Sequence, residues 1–262
     1  MNNKPFVWED ARQLTLPGLL AAVFIPSAIA FAGFHGIAPA LVRSGVPSIY
    51  AWAIVAAVAL AGFDIVALVL LSREARSLGI GLSKRLCLER IPVRMWLISI
   101  AVLIAAIALS FGAKFVIPPF MRIFGLTVPS YTPFFLDPNA VVSPETAATL
   151  APGVILKGNF GLLGLQAGVL ILNISAEELY FRAWMLPKLS RFGRASWIVN
   201  GAAFALYHTF QFWLFPQLLV ASLGMALVVR MTRSIWPAIA GHLVANFLLG
   251  MLGMAALVLG SA

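Results

Sequence analysis

The sequence predicts an all-α fold: a polytopic transmembrane helix bundle of about seven spans, with six to eight compatible. Three observations carry this. Hydrophobic residues make up 61% of the 262 residues and charged residues only 10%, whereas soluble domains carry about 25% charged residues. Mean hydropathy is +0.98. The apolar residues form runs long enough to cross a bilayer, and Lys and Arg cluster between the runs. The net charge of +9 therefore reads as topology and as contact with anionic lipid head groups, not as nucleic-acid binding. One integral-membrane domain is expected over residues 1–262, with a motif-bearing core at about 161–250.

The first span, 16–41, follows a polar N-terminus of mixed sign. No small-residue cleavage site clearly ends the run, so it reads as a retained helix rather than a signal peptide. Pro26 lies inside it, which a bundle tolerates because neighbours re-satisfy the freed carbonyl. His35, near its far end, is expected to serve an interface. The second span, 48–71, holds a single acid, Asp64, expected to pair with a polar group or to face a cavity rim. The connection 72–94 carries Arg73, Arg76, Lys84, Arg85, Arg90 and Arg94 against Glu74 and Glu89. It is the strongest cytoplasmic signal in the chain. The third span, 95–116, is ended by Pro118-Pro119. The connection that follows, to about residue 150, is long, rich in proline and poor in basic residues, which suits the outer face.

The fourth span, 161–186, is closed by Pro187 and followed by Lys188, Arg191 and Arg194. The fifth, 195–210, leads through a tight turn near Phe215-Pro216 to the sixth, 217–229, with Arg230 and Arg233 beyond it. The last run, 235–259, is one span or two pieces broken near Gly250. Positive-inside counting places the N-terminus, 72–94, 188–194 and 230–233 together on the cytoplasmic side. This describes an integral membrane protein of the bacterial inner-membrane kind. Trp8, Trp52, Trp96, Trp197 and Trp236 fall near span ends and read as interfacial anchors. Gly201, Gly224 and Gly241 suit close helix approach. Cys87, the single cysteine, cannot form an internal disulfide.

Ionisable groups inside apolar spans point to function. The fourth span contains Glu177-Glu178-Leu-Tyr-Phe-Arg182, the fifth Phe204-Ala-Leu-Tyr-His208, and the last His242-Leu-Val-Ala-Asn246. Glu178 and Arg182, four apart, face each other on a helix and read as a supporting pair. Glu177 projects elsewhere and is free to meet a water or a histidine. His208 can share that water, with Phe204 walling the cavity one turn earlier. His242 and Asn246 share one face and offer donors to an oxyanion. Counted along the helices, all three centres fall between the cytoplasmic head groups and the bilayer centre.

These residues resemble the CPBP family of intramembrane proteases, also called the CAAX-protease or abortive-infection family. The family's Glu-Glu-x-x-x-Arg, Phe-x-x-x-His and His-x-x-x-Asn motifs are all present here, in family order. The resemblance implies a bundle of about eight helices with a cavity open toward the cytoplasm. It implies a catalytic set of Glu177, His208, His242 and Asn246, supported by Glu178, Arg182 and Phe204. The implied activity is hydrolysis of a peptide bond by glutamate- and histidine-activated water. The implied partners are membrane lipids and a peptide or protein substrate, prenylated (CaaX-type) or otherwise membrane-associated. No cofactor is expected; the alternative is a divalent metal such as zinc on Glu177, His208 and His242. Two other functions suit the same polar residues. One is a proton-coupled membrane transporter. The other is a non-catalytic membrane partner in immunity or assembly.

Overall fold

The computed structural model describes residues 6–143 and 145–260; the start of the N-terminal segment assigned to the cytoplasm, residues 1–5, lies outside them. Among the described residues the chain is helical, without strands. Five segments are long and apolar enough to cross a membrane: Leu16–Arg43 (α1), Ser48–Leu78 (α2), Val93–Ala113 (α3), Phe160–Tyr207 and Thr209–Thr232. The fourth is 48 residues long, about 70 Å at 1.5 Å per residue, more than twice a bilayer's hydrocarbon core. It folds back at Gly193, whose φ of 56° and ψ of −123° only glycine adopts freely. It therefore holds two crossings. The first is Phe160–Glu177 (α5) with its π-helical extension Glu178–Met185; the second is Ser196–Tyr207 (α6). With Phe215–Thr232 (α7), Trp236–Asn246 (α8) and Leu252–Leu259 (α9), the architecture agrees with the expected count of about seven.

Local chemistry sets several boundaries. Thr15 Oγ1 accepts from Gly18 N at 3.2 Å and caps α1. Asn159 Oδ1 does the same for α5 through Leu162 N at 3.0 Å. Pro118-Pro119 do more than end the third span: they open a short helix, Ile117–Phe124 (α4), because a proline at the first helical positions lacks only an N–H that has no partner there. Phe215-Pro216 likewise open α7 instead of forming the turn. The turn is the 3-10 segment Thr209–Leu214, broken at Gln211. The basic connection begins later than expected, since α2 stays helical to Leu78. The C-terminal run continues through Gly250 as a π-helical segment, Phe247–Met251.

Close packing rests on the three glycines singled out in the sequence. A Cβ on Gly224 would stand 2.3 Å from Ala106 Cβ of α3. One on Gly241 would meet Leu103 at 2.6 Å, and one on Gly201 would meet Leu223 at 2.8 Å. In lipid, where apolar surface gains little by leaving its surroundings, such backbone approach is a main source of helix association.

The basic segments gather at one end. Lys188 Nζ donates to Glu74 Oε1 at 2.7 Å and to Arg12 O at 3.2 Å. Arg85 Nη2 donates to Glu74 Oε2 at 2.8 Å. Ser234 Oγ donates to Glu89 O at 2.7 Å. Among the described residues, only Arg43, Lys114, Arg122 and Lys157 fall at the opposite end. Two of the expected anchors are interior. Trp8 is 2% exposed, with the Arg233 guanidinium 4.0 Å from its ring centroid. Trp52 is 3% exposed and stacked 4.5 Å from Phe34. A tryptophan's place near a span end does not say whether it faces lipid or core.

Candidate active site

Glu177 is the last residue of α5, and Glu178 begins the π-helical turn. Such turns are frequent at functional sites. His208 caps α6 with φ −82° and ψ 42°, already out of the helix. The sequence placed it inside its span; in the structure the end of the helix frees the imidazole to turn back. Its Nδ1 lies 2.8 Å from Phe204 O and its Nε2 3.2 Å from Glu177 Oε1. A carbonyl only accepts, so Nδ1 carries a proton. The Nε2–carboxylate contact then needs a second, shared proton to be a hydrogen bond.

His242 reaches the same carboxylate from α8. Its Nδ1 meets Glu178 Oε1 at 2.9 Å and its Nε2 stands 3.6 Å from Glu177 Oε2. Glu178 is fully buried, with Oε2 3.5 Å from Arg182 Nε, so the expected pair is present. Its second task, holding His242, was not foreseen. Arg182 also lies 4.2 Å from the Phe204 ring centroid, so Phe204 supports the guanidinium as well as lining the cavity. Two acids and one guanidinium leave a net negative charge; a single imidazolium makes the cluster neutral, which burial favours.

The four motif residues line one cavity of about 450 Å³, within the range of ligand sites. Asn246 is half-buried in its wall, one turn beyond His242. Sequence reasoning missed Asn173, whose Nδ2 donates to Glu177 Oε2 at 3.4 Å, and Gln166. The signal was there: Gln166, Leu170, Asn173 and Glu177 recur at helical period, and all four line the cavity. Trp52, assigned to the membrane interface, lines it too. Asp64 pairs with Ser175 Oγ at 2.8 Å. His35 bridges Tyr131 OH at 2.8 Å and Phe210 O at 2.9 Å, the interface role expected of it.

The direction of the cavity departs from expectation. From Glu177 it runs along the first half of α5 to Gln166, and past Gln217 to Lys114 and Asp137. These residues belong to the end opposite the basic segments. The resemblance implied a mouth toward the cytoplasm, which the positive-inside count would put at the basic end; the lining leads to the other end. As to zinc, both imidazoles turn Nε2 toward Glu177, but toward different oxygens. Among the described residues no group of three His, Cys, Asp or Glu side chains is placed to hold a metal ion.

A family description, type II CAAX prenyl endopeptidase Rce1-like, matches residues 159–248. That segment of the chain is similar to the Rce1-like family. The match spans α5 to α8 and contains Glu177, Glu178, Arg182, Phe204, His208, His242 and Asn246. The Rce1-like family is a peptidase family. No curated relative and no solved structure matches the chain.

Proposed function

We propose that this protein hydrolyses a peptide bond of a membrane-associated substrate with water activated by Glu177 and His208. The observation that carries the reading is the approach of two imidazoles, from α6 and α8, to one buried carboxylate at the inner end of a cavity. A water between Glu177 and the scissile carbonyl gives up a proton to the Glu177–His208 pair as its oxygen bonds to the carbonyl carbon. The oxyanion that forms takes hydrogen bonds from His242, as an imidazolium donating from Nε2, and from the Asn246 amide. Glu178 holds His242 Nδ1–H through this step. The carbon–nitrogen bond then breaks, and the proton held by the pair passes to the leaving amine. No nucleophilic side chain is needed. Prenylated CaaX-type tails are one substrate class; other membrane-associated peptides are the second.

The test is turnover of a lipidated peptide by purified protein in detergent. Glu177→Gln and His208→Ala are each expected to lower kcat by about 100- to 10,000-fold, the usual worth of general acid–base catalysis, with unaltered melting. Chelator is expected to leave wild-type turnover intact. Full activity in both variants overturns the assignment, and loss to chelator with recovery on added zinc overturns the metal-independent route.

A further inference from the structure

Pro26 lies inside α1 and has no N–H, so the carbonyl of Ala22, one turn earlier, loses its helical donor. Within a bilayer such a carbonyl needs another. Tyr180 supplies it: its hydroxyl donates to Ala22 O at 2.8 Å in a buried contact. Tyr180 belongs to the π-helical extension that begins directly after Glu177. Its ring is fixed as well, with centroids 4.6 Å from Phe63 and 4.9 Å from Trp184. A little further on, the same helix reaches the other member of the carboxylate–imidazole pair. Ser27 Oγ and Thr209 Oγ1 share a hydrogen bond at 2.7 Å, and Thr209 directly follows His208. Ser27 is buried. Beyond it, Phe34 stacks on Phe210 at 4.8 Å, and His35 Nε2 lies 2.9 Å from Phe210 O.

We infer that α1 is a clamp for the reacting pair: Tyr180, through Ala22 O, holds the turn after Glu177, and Thr209, through Ser27, holds the turn after His208. α1 itself carries none of the motif residues and lies outside the matched segment. Tyr180 and Thr209 are positioning residues, since neither lines the cavity. The need for a clamp is local. Glu177 stands where an α-helix passes into a π-turn, and His208 where one passes into a 3-10 turn. Both turn types are uncommon beyond a few residues, and a misplacement of about 1 Å at a reacting group costs about 100-fold in rate. The inference rests on the peptidase reading of Glu177 and His208, and adds the residues that keep the two 3.2 Å apart.

The experiment removes one hydroxyl at a time from the full chain in detergent. Tyr180→Phe and Thr209→Val are each expected to lower kcat about 10- to 100-fold at unchanged KM, measured below the melting transition. A further change separates position from stability. Tyr180→Phe leaves Ala22 O without a donor, and Pro26→Ala returns an N–H to it. The Pro26→Ala/Tyr180→Phe double variant is expected to melt as wild type does and to stay slow. Recovery of kcat together with melting, or unchanged kcat in both single variants, overturns the clamp: the hydroxyl would then only satisfy a carbonyl. The last readout needs no turnover. The chain has three histidines. With isotope-labelled ring nitrogens, Tyr180→Phe is expected to shift the magnetic-resonance signals of His208 and His242 while those of His35 stay in place. Unmoved His208 and His242 signals overturn the clamp. Shifted signals in a protein whose wild type cleaves no peptide would remove the peptidase reading and leave the clamp standing.

Discussion

Arg182 shows at a single residue how the site holds its charge. It is fully buried, and its Nε and Nη1 have no hydrogen-bond partner. What holds it is the Glu178 carboxylate at 3.5 Å and the face of Phe204. Removing one partner of a buried ion pair costs about 3–5 kcal/mol, because the other charge is left alone. Glu178→Ala is therefore expected to lower the melting temperature in detergent steeply. Glu178→Gln keeps an acceptor for His242 and should lose less; equal melting of both variants with wild type would remove the pair from the stability argument. Cys87 is the opposite case, a buried group with no part in the site. It is 1% exposed, and burial pushes its thiol up to about 11. At pH 8 it is a thiol and not a thiolate, and only the thiolate reacts readily. Maleimide is expected to modify it in denatured protein and not in folded protein. At this scale the motif side chains were legible, because a charge inside an apolar run stands out. Gln166 and Asn173 were not, because a lone amide on a helix face more often satisfies a neighbour than lines a cavity.

Helices in this bundle are held apart by very small side chains, and that makes some positions intolerant of a single methyl. Gly224 of α7 lies against Ala106 of α3, with no room for a Cβ. Gly224→Ala must separate the two helices or rotate one, which in a packed interior costs about 1–3 kcal/mol. Gly168, on α5, has nothing within 4 Å of the position its Cβ would take. Gly168→Ala should be neutral or slightly stabilising, since alanine suits a helix better by about 1 kcal/mol. Thermal unfolding of the two variants side by side checks the contrast; equal effects would mean that the α3–α7 contact is looser than described. The glycines could be chosen from the sequence because small residues in membrane helices have few other uses. The exact course of the backbone could not. His208 to Leu214 keeps three aromatic residues, Phe210, Phe212 and Trp213, and contains no glycine or proline, so no breaker marks the place where α6 ends and a 3-10 turn begins. That turn aims His208 at Glu177. The sequence placed the residue within its span and did not record that the helix stops there.

For the molecule as a whole, the sequence carried the axial coordinate and little of the lateral one. Basic residues between apolar runs fixed which segments share an end, and in the structure those segments touch. Which helices surround the cavity, and therefore which end it faces, depends on lateral order that no hydropathy profile encodes. The basic end is closed around one acid. Glu74 accepts from Lys188 Nζ through Oε1 and from Arg85 Nη2 through Oε2, joining the end of α2, the connection after it and the turn after α5. Arg85 is fully buried and also donates to the carbonyls of Ala183 and Trp184. Glu74→Gln leaves those carbonyl bonds in place but strands the guanidinium without a counter-charge, so a loss of about 3 kcal/mol is expected. The cap is remote from the chemistry: Lys188 follows Glu177 by eleven residues, about 16 Å along the helix. Turnover below the melting transition should therefore match wild type, while the transition itself moves down. Denaturation in detergent and peptide turnover at low temperature separate the two readouts. A variant that melts normally but turns over slowly would show that the basic cap communicates with the carboxylate at Glu177, and the closed end would then belong to the working part of the enzyme.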